Sequence, residues 1–174
     1  DWLRENGVIK AGKKASRIAA EGLCAISVCG NTAAIVEVNA ETDFVAKNDL
    51  FKSLVKTVAD LVAANAPVDM DAANAIKSEE GTIAELVINA TARIGEKISF
   101  RRFDVITKSD DEIFGTYKHM GGKIITVVVV KGGSEEVAKD VAMQACAMNP
   151  TALNREGVPA DVVEREAHII KEQV

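Results

Sequence analysis

Leu23-Cys24-Ala25-Ile26-Ser27-Val28-Cys29, then Gly30-Asn31, then Ala33-Ala34-Ile35-Val36-Glu37-Val38-Asn39 is the stretch that decides the fold. Two apolar, β-branched runs flank a Gly-Asn pair, and tight turns need the positive φ that glycine adopts without steric cost. The reading is strand, two-residue turn, strand. The unit recurs downstream as Ile113 to Met120, Gly121-Gly122 and Lys123 to Lys131. Gly30 and Gly121 lie 91 residues apart, and Val45-Ala46-Lys47 matches Val137-Ala138-Lys139 92 residues further on. A helix follows each hairpin. The chain therefore carries two β-hairpin–helix units.

Working outward, Phe51, Leu54, Val55, Val58 and Val62 recur at helical spacing and make one apolar face. Ala66-Pro67 and the Asp69–Asp71 cluster break that helix. A second runs from Thr82 to Ile94, with Ile83, Leu86, Val87, Ala90 and Ile94 on one side and Gly95 as its stop. Ile98 to Thr107 then reads as a third strand of the first unit. The second unit shows no such strand. Asn149-Pro150 ends its helix, Pro159 suits a new helix start, and Ala160 to Val174 is helical and charged. The expected class is α+β: two similar subdomains, each an antiparallel hairpin packed with helices, the first with a three-stranded sheet.

Composition narrows the function. The 174 residues include 21 Lys+Arg against 26 Asp+Glu, a formal charge of −5. A chain this long buries roughly 70% of its unfolded surface, enough for one large core or two small ones. With 48% hydrophobic and 27% charged residues it is ordinary globular material. Aromatic residues make up only 4%, which leaves few platforms for stacking bases, and the acidic balance argues against wide phosphate binding. Direct nucleic-acid binding is not expected. Cys24, Cys29 and Cys146 are too few and odd in number for a disulfide framework, so free thiols in a reducing compartment are expected. The run Ile124 to Val130 is far too short to span a bilayer, and no signal peptide opens the chain. That points to the cytoplasm or an organelle matrix. The chain starts at Asp1, and its first turn reads as a helix end stopped by Gly7, which suggests a fragment or a processed form.

Chemical centres find little support. Cys24 and Cys29 sit five apart on a strand, face opposite ways, and read as small buried hydrophobes rather than ligands of one ion. Asp69-Met70-Asp71 and Ser109-Asp110-Asp111 lack the glycine and closing glutamate of a calcium loop and read as helix caps or solvated loops. Gly121-Gly122-Lys123 lacks phosphate-loop spacing. His119 and His168 stand in no catalytic motif. No metal, cofactor or small-molecule ligand of its own is expected, and the chain reads as a non-enzyme.

Asn39-Ala40-Glu41-Thr42-Asp43-Phe44-Val45 leaves the second strand and enters a helix. Thr42 is a good N-cap, and Asp43 then sits where the helix dipole favours an anion. Phe44 has two readings. Its counterpart in the second unit is Glu136, which suggests a solvent-facing anchor beside an acid. Its seven-residue spacing from Phe51 suggests a shared buried face instead.

These residues carry a resemblance. Val38-Asn39-Ala40-Glu41-Thr42-Asp43-Phe44-Val45-Ala46-Lys47 resembles the hallmark segment of the bacterial elongation factor Ts family. So do Arg17 to Gly22, Ile94-Gly95-Glu96-Lys97-Ile98 with Arg101-Arg102, and Tyr117-Lys118-His119-Met120-Gly121-Gly122. The likeness runs over essentially the whole chain. It implies a guanine nucleotide exchange factor for elongation factor Tu, the GTPase that delivers aminoacyl-tRNA to the ribosome. It further implies that Asp43 and Phe44 enter the partner's G domain near its magnesium site, within the segment Thr42 to Val45. Ile94 with Gly95 would make a second contact, and His119 would belong to the second subdomain's contact surface. A plain reading of His119, as a polar strand-end residue beside a turn, stands beside that one.

The resemblance also implies an organisation. Residues 1–20 would be the end of an N-terminal helical module and a linker, 21–110 the first core subdomain, 111–159 an incomplete second one, and 160–174 the start of a coiled-coil insertion. Exchange needs no covalent chemistry, since disordering the magnesium and phosphate-loop region of the GTPase is enough to lower nucleotide affinity. A duplicated α+β dimerisation or scaffold module is the alternative. An enzyme with a thiol nucleophile is a distant third.

Overall fold

The computed structural model describes residues 7–9 and 11–173. The first hairpin pairs β1 (Glu21–Cys29) with β2 (Thr32–Ala40) in unbroken register from Cys29↔Thr32 to Glu21↔Ala40, closed by Gly30-Asn31 with Gly30 at φ +57°. The third strand, numbered β5 below (Ser99–Thr107), adds antiparallel to the free edge of β2, giving the order β1-β2-β5 with a register shift at Glu37/Val38. β2 is thus the central strand, and its Val36, Val38 and Ala40 alternate into the core.

The chain between β2 and β5 covers that face. It forms α1 (Asp43–Lys47), α2 (Asp49–Asn65), α3 (Met70–Ala75), the short pair β3 (Lys77–Ser78) and β4 (Gly81–Thr82), and α4 (Ile83–Ile94). Phe51, Leu54, Val55, Val58 and Val62 of α2 are all buried and share one core cluster with Val36, Val38 and Ala40. Ala66 ends α2 in the left-handed conformation just before Pro67. α4 opens on a capping box between Thr82 and Glu85 and closes on Gly95 at φ +89°. Asp69, read as a cap, is the N-cap of α3.

The second unit pairs β6 (Glu112–His119) with β7 (Ile124–Lys131), and α5 (Glu135–Met148) packs across both. α5 approaches very closely at Gly115 of β6, where a Cβ would lie 2.0 Å from the carbonyl oxygen of Ala138. Beyond Asn149 come a short 3-10 turn at Arg155–Gly157 and α6 (Ala160–Gln173), which has no buried residue. Among the described residues the β6–β7 sheet has two strands. The repeat inferred from sequence is partly mirrored in burial: Ala46 and Ala138 are both buried and Phe44 and Glu136 both exposed, whereas Val45 is buried and Val137 is exposed. Mixed helices and antiparallel sheets make the class α+β, as expected.

Three details correct the sequence reading. The second turn is a four-residue loop, because β6 and β7 end at the pair His119↔Ile124 and leave Met120 to Lys123 outside the ladder. Met120, Gly121 and Gly122 all take positive φ there. The reason is tertiary: Gly122 is docked on β1, with its carbonyl accepting from Cys24 N–H at 2.7 Å and Lys123 paired to Glu21. Gly7 does not stop a helix, since residues 7–9 and 11–12 are helical and Gly7 is buried beside Ala92 and Asn89 of α4. The preceding part of that proposed helix end lies outside the described residues. Cys29, read as buried, is exposed at the end of β1.

Candidate functional site

The segment from Glu41 to Lys47 is anchored on every side but one. Thr42 is the N-cap of α1, with Val45 N–H donating to its Oγ1 at 3.4 Å. Val45 and Ala46 point into the core cluster. Phe44, one residue earlier on the same turn, is 79% exposed. The seven-residue spacing to Phe51 fails as an argument because α1 and α2 are separate helices. Asn48, at φ −70° and ψ 136°, caps the end of one and the start of the other and resets the helical phase. Phe51 is buried and Phe44 is not.

Asp43 stands in the first turn of α1 and accepts from Lys47 Nζ at 2.8 Å. That bond and the charge of Lys47 hold its carboxyl below the usual range, with Lys123 of the docked loop adding a smaller pull. The Lys47 ammonium lies 6.0 Å from the centre of the Phe44 ring. Acid, base and aromatic thus share one exposed patch.

Two crossed carboxylates tie this segment to the chain after α4. Glu96 accepts from Thr42 N–H at 3.0 Å and from Thr42 Oγ1 at 2.8 Å. Glu41 in turn accepts from Lys97 N–H at 2.6 Å and from Arg17 at 3.4 Å. Lys97 Nζ donates to the carbonyls of Ala15 and Arg17, fastening the entry to β1 as well. Ile94 ends α4 half-buried against the core, and Gly95 is exposed. These bonds bring the start of α1 at Thr42 beside Glu96, the residue after Gly95, while Val45 and Ile94 pack on the same core cluster. His119 is exposed at the end of β6, its Nδ1 3.3 Å from Tyr117 Oη.

Sequence reasoning missed Glu41, Glu96 and Lys97 as parts of this site. The Glu96–Thr42 and Glu41–Lys97 bonds each span more than 50 residues, and only the quoted Val38-to-Lys47 and Ile94-to-Ile98 segments hinted at them. Glu41 also sets a pH dependence. The Lys97 N–H and then Arg17 keep its folded carboxyl below the ordinary value of 4.5. Its contribution is therefore complete above that value and is lost as pH falls through the depressed one. Thermal melts across pH should show Glu41→Gln less stable than the parent near neutrality, with the gap closing in acid. A gap that stays constant with pH would refute this account.

The family model for elongation factor Ts matches residues 41–174. Elongation factor Ts of Pediococcus pentosaceus is 53% identical over 173 residues, covering 99% of this chain and 59% of that protein. The same factor of Limosilactobacillus fermentum is 51% identical over 173 residues, with the same coverage. That of Lactococcus lactis subsp. cremoris is 53% identical over 167 residues, covering 95% of this chain and 49% of the relative. A duplicated α+β chain with these relatives falls in an elongation-factor family. It belongs to the elongation factor Ts family. The chain spans about 59% of the length of the first of these relatives. Among the described residues, no helix is long and apolar enough to cross a membrane.

Proposed function

We propose that this chain promotes GDP release from elongation factor Tu by inserting Asp43 and Phe44 near the magnesium site of the GTPase. One observation carries the reading: a large aromatic, 79% exposed, stands on a one-turn helix whose other side is buried and whose cap is pinned twice. A rigid exposed aromatic has little side-chain entropy to lose on docking, which is what an interface anchor needs. Burying it contributes on the order of 1.5–3 kcal/mol. Asp43 competes for polar groups near the metal. Ile94 and Gly95 make a second contact beside the first, and His119 a third from the other subdomain. The factor forms no covalent bond with its partner and acts as a binding protein rather than an enzyme.

Linkage fixes the thermodynamics. If the factor weakens GDP by some ratio, GDP weakens the factor by the same ratio. On this reading residues 21–110 and the incomplete 111–159 are two core subdomains facing one partner, between the end of an N-terminal helical module with its linker at 1–20 and a coiled-coil insertion beginning at 160–174. The setting is the bacterial cytoplasm. Stopped-flow release of fluorescent GDP from purified elongation factor Tu tests the proposal. Acceleration by this chain supports it; no acceleration leaves a scaffold role.

His119 gives a separate check. Its ring is exposed and hydrogen-bonds only to Tyr117 among the described residues. His119→Ala is expected to weaken binding to elongation factor Tu several-fold with the melting temperature nearly unchanged, as for surface substitutions generally. Parallel losses of stability and binding would make it a hairpin support instead.

A further inference from the structure

Glu96 and Thr42 are 54 residues apart in the chain, yet the Glu96 carboxylate takes both polar hydrogens of Thr42, the backbone N–H at 3.0 Å and the hydroxyl at 2.8 Å. An ionised carboxylate only accepts, so the hydroxyl must donate to it. The lone pairs of Thr42 Oγ1 are then left for Val45 N–H, an amide of the first turn of α1 that has no partner within the helix. The direction of the relay is fixed: Val45 N–H to Thr42 Oγ1, and Thr42 O–H to Glu96. Between the capping Thr42 and the capped Val45 lie Asp43 and Phe44, whose backbone both bonds hold in place. Glu41 and Lys97 N–H cross the same gap in the opposite sense at 2.6 Å. Glu96 has no ion-pair partner among the described residues, so its two bonds to Thr42 are its principal interaction.

We propose that Glu96 is a positioning residue for Phe44, and that the crossed pair makes Thr42–Phe44 and Ile94–Gly95 one rigid docking unit. The inference rests on the exchange function proposed above. It asks Glu96 to touch no part of the partner. Glu96 acts by holding the cap that aims the aromatic.

Two measurements test it, both on this chain. In amide hydrogen exchange, Glu96→Ala is expected to speed exchange at Thr42 and Val45 by about tenfold or more, the scale of losing hydrogen bonds to a charged group. The amide of Val58 in α2 should not change. Glu96→Gln keeps a carbonyl oxygen for Thr42 N–H and should restore most of the protection. Unchanged exchange at Thr42 and Val45 in Glu96→Ala overturns the proposal.

The second measurement is a double-mutant cycle on stimulated GDP release. Glu96→Ala alone should slow release about tenfold, yet in a Phe44→Ala background it should cost less than about twofold, because no aromatic remains to aim. Independent, multiplying effects overturn the positioning role and leave the role of Phe44 standing. A Phe44→Ala protein that stimulates GDP release from elongation factor Tu as fast as the parent leaves nothing to aim and overturns the proposal, whereas a parent chain that stimulates no release overturns the exchange reading itself. If Glu96→Ala does not fold, Thr42→Val carries both tests, with faster exchange read at Val45 alone because the backbone N–H at position 42 keeps its bond to Glu96, and with Thr42→Ser as the rescue.

Discussion

Phe44→Ala is expected to leave the melting temperature of the protein within about a degree or two of the parent and to slow stimulated GDP release roughly thirtyfold. The first half follows from exposure. With 79% of the residue open to solvent, truncation removes no core contact and leaves no cavity, and such surface changes stay within about 0.5 kcal/mol. The second half follows from anchor energetics. Losing a central aromatic anchor costs upwards of about 2 kcal/mol, which is some thirtyfold in an equilibrium or a rate. The loss should fall unevenly. A wedge working against bound nucleotide affects the GDP complex more than binding to empty elongation factor Tu, so release should suffer more than affinity for the nucleotide-free partner. Asp43→Ala should do less, because its carboxylate is partly solvated and already engaged by Lys47. Release at the parental rate from Phe44→Ala would remove the anchor from the mechanism.

What the sequence made legible is what local physics controls. The Gly30-Asn31 turn, the α2 face and the Gly95 stop were readable because each is settled within a few residues, whereas Thr82 proves to be the N-cap and not the first residue of its helix. The repeat was readable because hairpin and helix recur at a fixed offset. Phe44 was readable only as a choice, since a helical wheel assumes one continuous helix. Asn48 breaks that continuity, and its cap geometry at both ends was the overlooked signal.

The features that escaped are long-range. The four-residue loop at Met120–Lys123 is shaped by docking on β1, and nothing within the loop itself announces a partner so far off in sequence. Gly115 looks unremarkable in a strand pattern until α5 is seen lying against it. The crossed carboxylates behave the same way: nothing in the sequence gives Glu41 and Glu96 a role until strand β5 brings the end of α4 beside the start of α1. Candidate contact residues were therefore easier to find than the residues that hold them.

Phe51→Ala is the counterpart of the first experiment and should give the opposite result. Phe51 is fully buried, sharing one cluster with Val45, Ala46, Val36 and Val38. Truncating a buried phenylalanine costs roughly 3–5 kcal/mol, from lost transfer energy and from the cavity left behind. Against a typical total of about 5–15 kcal/mol, that leaves the protein close to its folding threshold. Urea titration should show a lower midpoint with an unchanged slope, the mark of lost stability without a change in the surface exposed. Phe51→Leu, which refills much of the space, should recover most of the loss. Exchange activity should fall in Phe51→Ala as well, but for an indirect reason: Val45 and Ala46 dock α1 on that cluster, so a collapsed core lets the Phe44 helix drift. The two phenylalanines are thereby separable. Phe44→Ala should lose activity at full stability, while Phe51→Ala should lose both and regain both together in Phe51→Leu. If Phe44→Ala melts as Phe51→Ala does, the aromatic belongs to the core and the docking surface must be sought elsewhere.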